Sequence, residues 1–117
     1  MKDQIYYHNP KCSKSRQGLV LLEEKGIDPQ VKLYLKEDMT TQEILSLFEK
    51  TGLGPLEGMI RTKEQTFKDL ELKNAELSQE EWAKIIVDNP ILLERPIFVN
   101  GDKACIGRPP SNIFDIL

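Results

Sequence analysis

An α/β fold built on one mixed sheet is what this 117-residue sequence predicts, and three observations predict it. Between residues 4 and 35 the chain passes from β-forming residues to a helical run and back to β-formers. From about 40 to 92 it carries two helix-capping signatures and no strand pattern. The last stretch reads as a hairpin followed by a short helix.

The first strand is QIYYH (4–8), rich in β-formers and stopped by the turn pair Asn9-Pro10. A helix is predicted from Ser13, with Leu19, Val20, Leu21 and Leu22 on one broad face and Gly26 placed to end it. VKLYL (31–35) sets Val31, Leu33 and Leu35 against Lys32 and Tyr34, the alternation of a second strand. A strand–helix–strand unit this short makes the two strands parallel. Thr40 and Glu43 form a capping box ahead of Ile44, Leu45, Leu47 and Phe48, and Gly52 closes that helix. Pro55 opens a short segment ending at Arg61, and a further helix carries Phe67 and Leu70. Ser78 and Glu81 cap the next helix, with Trp82, Ile85, Ile86 and Val87, which Pro90 stops. PIFV (96–99) and KACIG (103–107) flank Asn100-Gly101, read as a type I′ hairpin turn. Pro109-Pro110 then starts a final helix with Ile113, Phe114, Ile116 and Leu117. The order βαβ, helical block, ββα is that of a thioredoxin-like fold, with a four-stranded mixed sheet and a helical insertion at about 40–92. One domain over 1–117 follows.

Composition excludes several function classes. A net charge of −3 supplies no electrostatic reason for nucleic acid or an anionic membrane as partner. No apolar run approaches the ~18 residues of a transmembrane helix, and MKDQIYYHNP lacks the apolar core of a signal peptide. A cytoplasmic protein is expected, with Cys12 and Cys105 held as thiols in a reducing compartment. One histidine and two cysteines in these positions make no zinc signature, so no metal is expected. Nor does any spare apolar pattern suggest self-association, and a monomer is expected.

The two cysteines read differently. Cys105, between Ala104 and Ile106 on a predicted strand, reads as a small core hydrophobe. Cys12 lies in HNPKCSKSR, after a strand and at a helix start, among Lys11, Lys14 and Arg16. Free N–H groups and the positive end of the helix dipole gather there. Such surroundings lower a thiol pKa from ~8.5 into the range ~3.5–7.5. Ser15 takes the place of the second cysteine of a C-x-x-C motif and is expected to offer its hydroxyl to the sulfur. Without a resolving neighbour, an oxidised Cys12 calls for an outside thiol, with Cys105 the one internal alternative.

The same nest of amides would hold a tetrahedral oxyanion. Three arginines suit that ligand: Arg61 closing PLEGMIR, Arg95 before Pro96, and Arg108 before Pro109; taken singly, each reads equally as a solvated surface charge or a salt-bridge partner, and it is their combination that points to an anion. A residue before proline is held extended, which fixes where its side chain leaves the backbone. In a thioredoxin-like fold the turn before the third strand carries a proline, often cis, that faces the cysteine loop; Arg95 would then point toward Cys12. A guanidinium fork matches an oxyanion better than an ammonium does.

Y-x-H-N-P-x-C-x-x-S-R at the front, R-x-x-E in the middle, N-P-I-L-L-x-R-P-I and then G-R-P-P resemble the ArsC family of glutathione- and glutaredoxin-coupled arsenate reductases, most nearly its short, YfgD-type branch. The resemblance runs along essentially the whole chain. It implies that Cys12 attacks arsenate, that Arg61, Arg95 and Arg108 hold the oxyanion, and that glutathione is co-substrate, with glutaredoxin resolving the mixed disulfide. No bound cofactor is implied. His8 matches a family histidine that sets the cysteine's environment; from its position alone it is equally a structural strand-end residue. Asn9, Ser15, Arg16 and Pro96 match the supporting loop and turn. Two other readings go with these residues. Spx-type regulators, which are related, bind RNA polymerase and sense thiol stress, usually through a C-x-x-C that Ser15 interrupts. A glutaredoxin-like thiol transferase would have little use for three arginines.

Overall fold

The computed structural model describes residues 4–117. Its elements run β1 (Gln4–Tyr7), α1 (Ser13–Glu24), β2 (Gln30–Lys32), α2 (Thr41–Thr51), α3 (Gln65–Asp69), α4 (Gln79–Asp88), β3 (Ile97–Asn100) and β4 (Lys103–Ile106), with 3₁₀ turns at Pro55–Glu57 and Pro90–Leu92 and a 3₁₀ segment at Pro110–Ile116. The contacts divide the chain into two compact units. One takes in the described residues through Glu37 together with Arg95–Leu117; the other is Asp38–Glu94.

The first unit holds a mixed four-stranded sheet in the order β2-β1-β3-β4. β1 pairs parallel with β2 and antiparallel with β3, and β3 pairs antiparallel with β4. Register lines up Tyr6, Phe98 and Cys105 across three strands. This row packs with Leu22 of α1 and Ile113 of the last 3₁₀ segment into a core where Tyr6, Phe98, Leu22 and Ile113 are fully buried. Cys105 lies against that core, and its thiol donates to the Asn112 carbonyl at 3.6 Å. Burial pushes this thiol up to about 11, with Asp115 adding to the effect. The reading of Cys105 as core agrees with this placement.

Several local expectations need correction. β2 ends at Lys32, not Leu35. Beyond it the chain folds into a turn in which the Leu33 amide donates to Glu37 Oε2 at 2.7 Å, and the Lys36 and Glu37 amides donate to the Leu33 carbonyl. Tyr34 is buried while Val31 and Leu35 are 40% and 44% exposed, the reverse of the alternation. Tyr34 and Leu35 lie in that turn, outside the strand, so the two-residue period of a β-strand does not apply to them. On α1 the buried line is Ser15, Gly18 and Leu22, while Val20 is 49% exposed. α3 stops at Asp69, leaving Leu70 as an exposed cap residue. In the hairpin Asn100 pairs with Lys103, so the turn centres are Gly101 and Asp102. Only Gly101 has positive φ (65°), which is the II′ pattern, not I′. The last helix is 3₁₀, with Ile113 buried and Phe114 and Leu117 exposed.

The second unit follows the capping boxes. Thr40 Oγ1 accepts from the Glu43 amide, and Glu43 Oε1 accepts from the Thr40 amide; Ser78 and Glu81 repeat the arrangement at α4. Gly52 ends α2 at φ 72°, the left-handed value a C-terminal glycine supplies. α2 buries Ile44, Leu47 and Phe48, α4 buries Trp82, Ala83 and Ile86, and the two helices pack together.

Candidate active site

The site begins with the turn between β1 and α1. Cys12 N–H donates to the Asn9 carbonyl at 2.9 Å, closing a four-residue turn with Pro10 at its second position, where a fixed φ is favoured. Asn9 Oδ1 accepts from the Lys11 amide at 3.1 Å, a side-chain brace on the same turn. Arg16 reaches back from α1, its Nη1 donating to the Pro10 carbonyl at 2.8 Å. Cys12 is therefore the N-cap residue of α1, extended at φ −95° and ψ 123°.

No side chain caps that helix end, and no acidic residue lies in its first turn. The positive end of α1 thus lies at Cys12 with no acidic side chain of its own first turn to neutralise it, an arrangement that favours a bound anion. Arg108, brought from the end of β4, points Nη2 at Cys12 Sγ from 3.6 Å and anchors its Nε on the Arg95 carbonyl at 2.8 Å. Arg108 thereby joins the Cys12 sulfur to the Arg95 backbone in the first unit. Both arginines precede cis prolines, Pro96 and Pro109. Gly107 N–H donates to the Pro96 carbonyl at 2.9 Å, which ties the Pro96 turn to the end of β4. A Cβ on Gly107 would lie 2.8 Å from Pro96 Cγ, so only glycine permits this approach.

Ser15 does something other than expected. It is fully buried, and its Oγ accepts from the Asn9 amide at 3.0 Å and lies 2.7 Å from His8 Nδ1. A hydroxyl has one donor and two acceptor positions, so Ser15 can serve the Asn9 amide and the histidine ring together. Ser15 therefore braces the loop from inside instead of bonding the sulfur. His8 is 8% exposed; desolvation lowers its pKa from 6.5, and the Arg16 charge adds to this, so the neutral ring is the favoured form.

Tyr6 entered the sequence reading only as a strand and motif residue, and Gly18 not at all. Tyr6 Oη donates to the Ser15 carbonyl at 2.6 Å and fills the space over Gly18, where a Cβ would come within 2.3 Å of the phenol oxygen. A lone glycine inside a helical run is the signal that could have found this pair. Arg61 belongs to the second unit. Its Nη1 is paired with Glu64 Oε1, its Nε lies 3.7 Å from Glu94 Oε1, and its amide donates to the Leu92 carbonyl at 2.8 Å. That is the Ile60–Leu93 bridge region, which holds Arg61 and Glu94 side by side.

Residues 7–116 match the ArsC family. An arsenate reductase of Haemophilus influenzae is 50% identical over 97% of each chain. YfgD of Escherichia coli is 43% identical, over 95% of this chain and 93% of its own. Among solved structures, an arsenate reductase from Vibrio cholerae superposes with a TM-score of 0.92 at 42% identity, covering 97% of both chains.

Proposed function

The chain belongs to the ArsC family, and from that premise we propose that it reduces arsenate to arsenite through Cys12, with glutathione as co-substrate and a glutaredoxin as the resolving partner. The observation that carries the reading is the guanidinium of Arg108 at the sulfur of Cys12, above an uncapped helix end. A guanidinium and a helix end come together at the sulfur, where the proposed attack on an oxyanion would take place.

In the proposed reaction the Cys12 thiolate attacks arsenic, and an arsenate oxygen leaves as water once protonated. The product is a thiol–arsenate adduct, and no electrons have moved. Arg108 and Arg95 neutralise the charge on the remaining oxygens, an electrostatic role that a preorganised guanidinium fills without reorganisation. Glutathione then attacks the Cys12 sulfur. The S–As bond breaks with its electron pair staying on arsenic, which becomes arsenic(III), and Cys12 is left in a mixed disulfide with glutathione. A glutaredoxin thiol reduces that disulfide. Cys105, bonded to Asn112 and raised by burial, is a poor internal nucleophile, which supports an external thiol. Arg61 is proposed as the third oxyanion residue on the family resemblance, and Arg61→Ala reads that role independently. A cytoplasmic monomer suits these partners, and among the described residues no helix is long and apolar enough to cross a membrane.

The test is arsenate-dependent NADPH oxidation coupled through glutathione reductase, glutathione and glutaredoxin. Wild type should turn over and Cys12→Ser should not. A folded wild type that fails in this assay sinks the proposal.

A further inference from the structure

The proposed chemistry requires an outside thiol to arrive at Cys12, and the structure holds a place from which it can come. A groove of about 630 Å³ runs between α1 and the Pro110–Ile116 segment. Its wall includes Ser13, the residue after Cys12, and Pro109, the residue after Arg108, so it opens beside the two groups that meet at the reacting sulfur. The volume lies within the ~300–1,000 Å³ range of small-ligand sites.

We propose that this groove is the glutathione subsite, with Arg16 taking a carboxylate of the tripeptide and Val20, Pro109 and Pro110 packing against its methylene groups. The inference rests on the reading above that glutathione attacks at Cys12. Charge complementarity selects this occupant. Arg16 lines the groove, is exposed, and is held by a bond from Nη1 to the Pro10 carbonyl. A guanidinium has five N–H donors, so it keeps others to present to a carboxylate. No acidic side chain lines the groove. Glutathione carries two carboxylates on a short, flexible body, and its thiol lies between them. One carboxylate on Arg16 leaves that thiol within reach of the residue at the helix end, four positions earlier in sequence.

This placement also explains an otherwise odd surface. Val20 is 49% exposed on the helix that carries the nucleophile, next to two exposed or half-exposed prolines. Neither the core nor the Cys12–Arg108 contact uses that apolar strip. A ligand lying along the groove would cover it.

The experiment uses S-methylglutathione, whose capped sulfur cannot react, titrated into isotope-labelled full-length protein and followed by amide resonances. The expected result is saturable shifts at Ser13, Arg16, Val20 and Ser111, with affinity lowered about fivefold by Val20→Glu and not by Val20→Lys, the size and sign of one exposed charge pair. Shifts centred instead on the opposite side of the loop, at His8, Lys11 and Leu33–Lys36, overturn the inference. So does the absence of saturable shifts, or perturbation of the groove by a glutaredoxin domain alone. Binding in the groove by a protein that fails to reduce arsenate would sustain this inference while removing the proposed substrate. Turnover with glutathione but no binding in the groove would do the reverse.

Discussion

Gly18→Ala should destabilise this protein, although alanine is the better helix former. In an exposed helix the change gains about 0.5–1 kcal/mol. Here the new Cβ would stand 2.3 Å from Tyr6 Oη and 3.3 Å from Cζ. Tyr6 is fully buried and its oxygen is held on the Ser15 carbonyl at 2.6 Å, so the ring has nowhere to retreat without breaking that bond. Overpacking of this kind costs about 1–3 kcal/mol, and a buried hydroxyl and carbonyl parted from each other cost about 1–3 kcal/mol more. After the helix-propensity gain the net loss should be about 3 kcal/mol, the middle of a range of about 1–5. Urea unfolding followed by circular dichroism reads it as a midpoint about 1 M lower or more, since a chain of this size has a slope of about 1–3 kcal/mol per M. The decisive measurement is the cycle with Tyr6→Phe. Removing the oxygen leaves Cζ at 3.3 Å as the nearest atom, a contact that a few tenths of an ångström relieves. In the Tyr6→Phe background Gly18→Ala should then cost less than about 1 kcal/mol, giving a coupling near 2 kcal/mol. If Gly18→Ala alone matches or exceeds wild-type stability, or loses the same amount in both backgrounds, the contact does not constrain this turn of the helix.

Three further outcomes are expected. Arg108→Lys should lower kcat/KM for arsenate by about 10–100-fold, because an ammonium cannot hold the Arg95 carbonyl and face the Cys12 sulfur at once; steady-state kinetics showing wild-type values would refute it. His8 titrates below 6.5 in the folded state, so its contribution to stability is complete above that value and is lost as pH falls through the lowered one. Thermal melts from pH 8 to 5 should therefore show a decline that His8→Gln reduces; identical slopes in the two proteins would contradict this. Iodoacetamide at pH 7.5 should label Cys12 well before Cys105, whose thiol is pushed up to about 11 by burial, and arsenate or sulfate should slow the first reaction; equal labelling of both cysteines by peptide mass mapping would count against the site.

Whatever depended on neighbours in the chain was legible without coordinates. Thr40 with Glu43, Ser78 with Glu81, and Gly52 satisfy the backbone groups of helix ends from within a few residues, so α2 and α4 could be bounded by inspection. Asn9-Pro10 before Cys12 likewise announces a turn followed by a helix start, and with it a cysteine at that start among cations. The strand–helix–strand front and the closing hairpin were enough to predict a mixed sheet, though not the order of its strands.

The tertiary structure decided which of those residues do which work. β2 stops at Lys32 because Glu37 takes the Leu33 amide into a turn, a competition no periodicity records. The hairpin turn moves one residue along because register is set by the pairing of β3 with β4, not by the Asn-Gly dipeptide. Ser15 turns inward to His8 and Asn9 because the helix buries that position under Tyr6, whereas a C-x-x-S spacing alone suggests a partner for the sulfur. Arg108 reaches Cys12 across ninety-six positions of sequence, through a guanidinium seated on the Arg95 carbonyl. Local chemistry determined that Cys12 sits at a helix end able to hold an anion; the contacts that seat Arg108 on the Arg95 carbonyl and aim it at Cys12 are long-range, and only folding makes them.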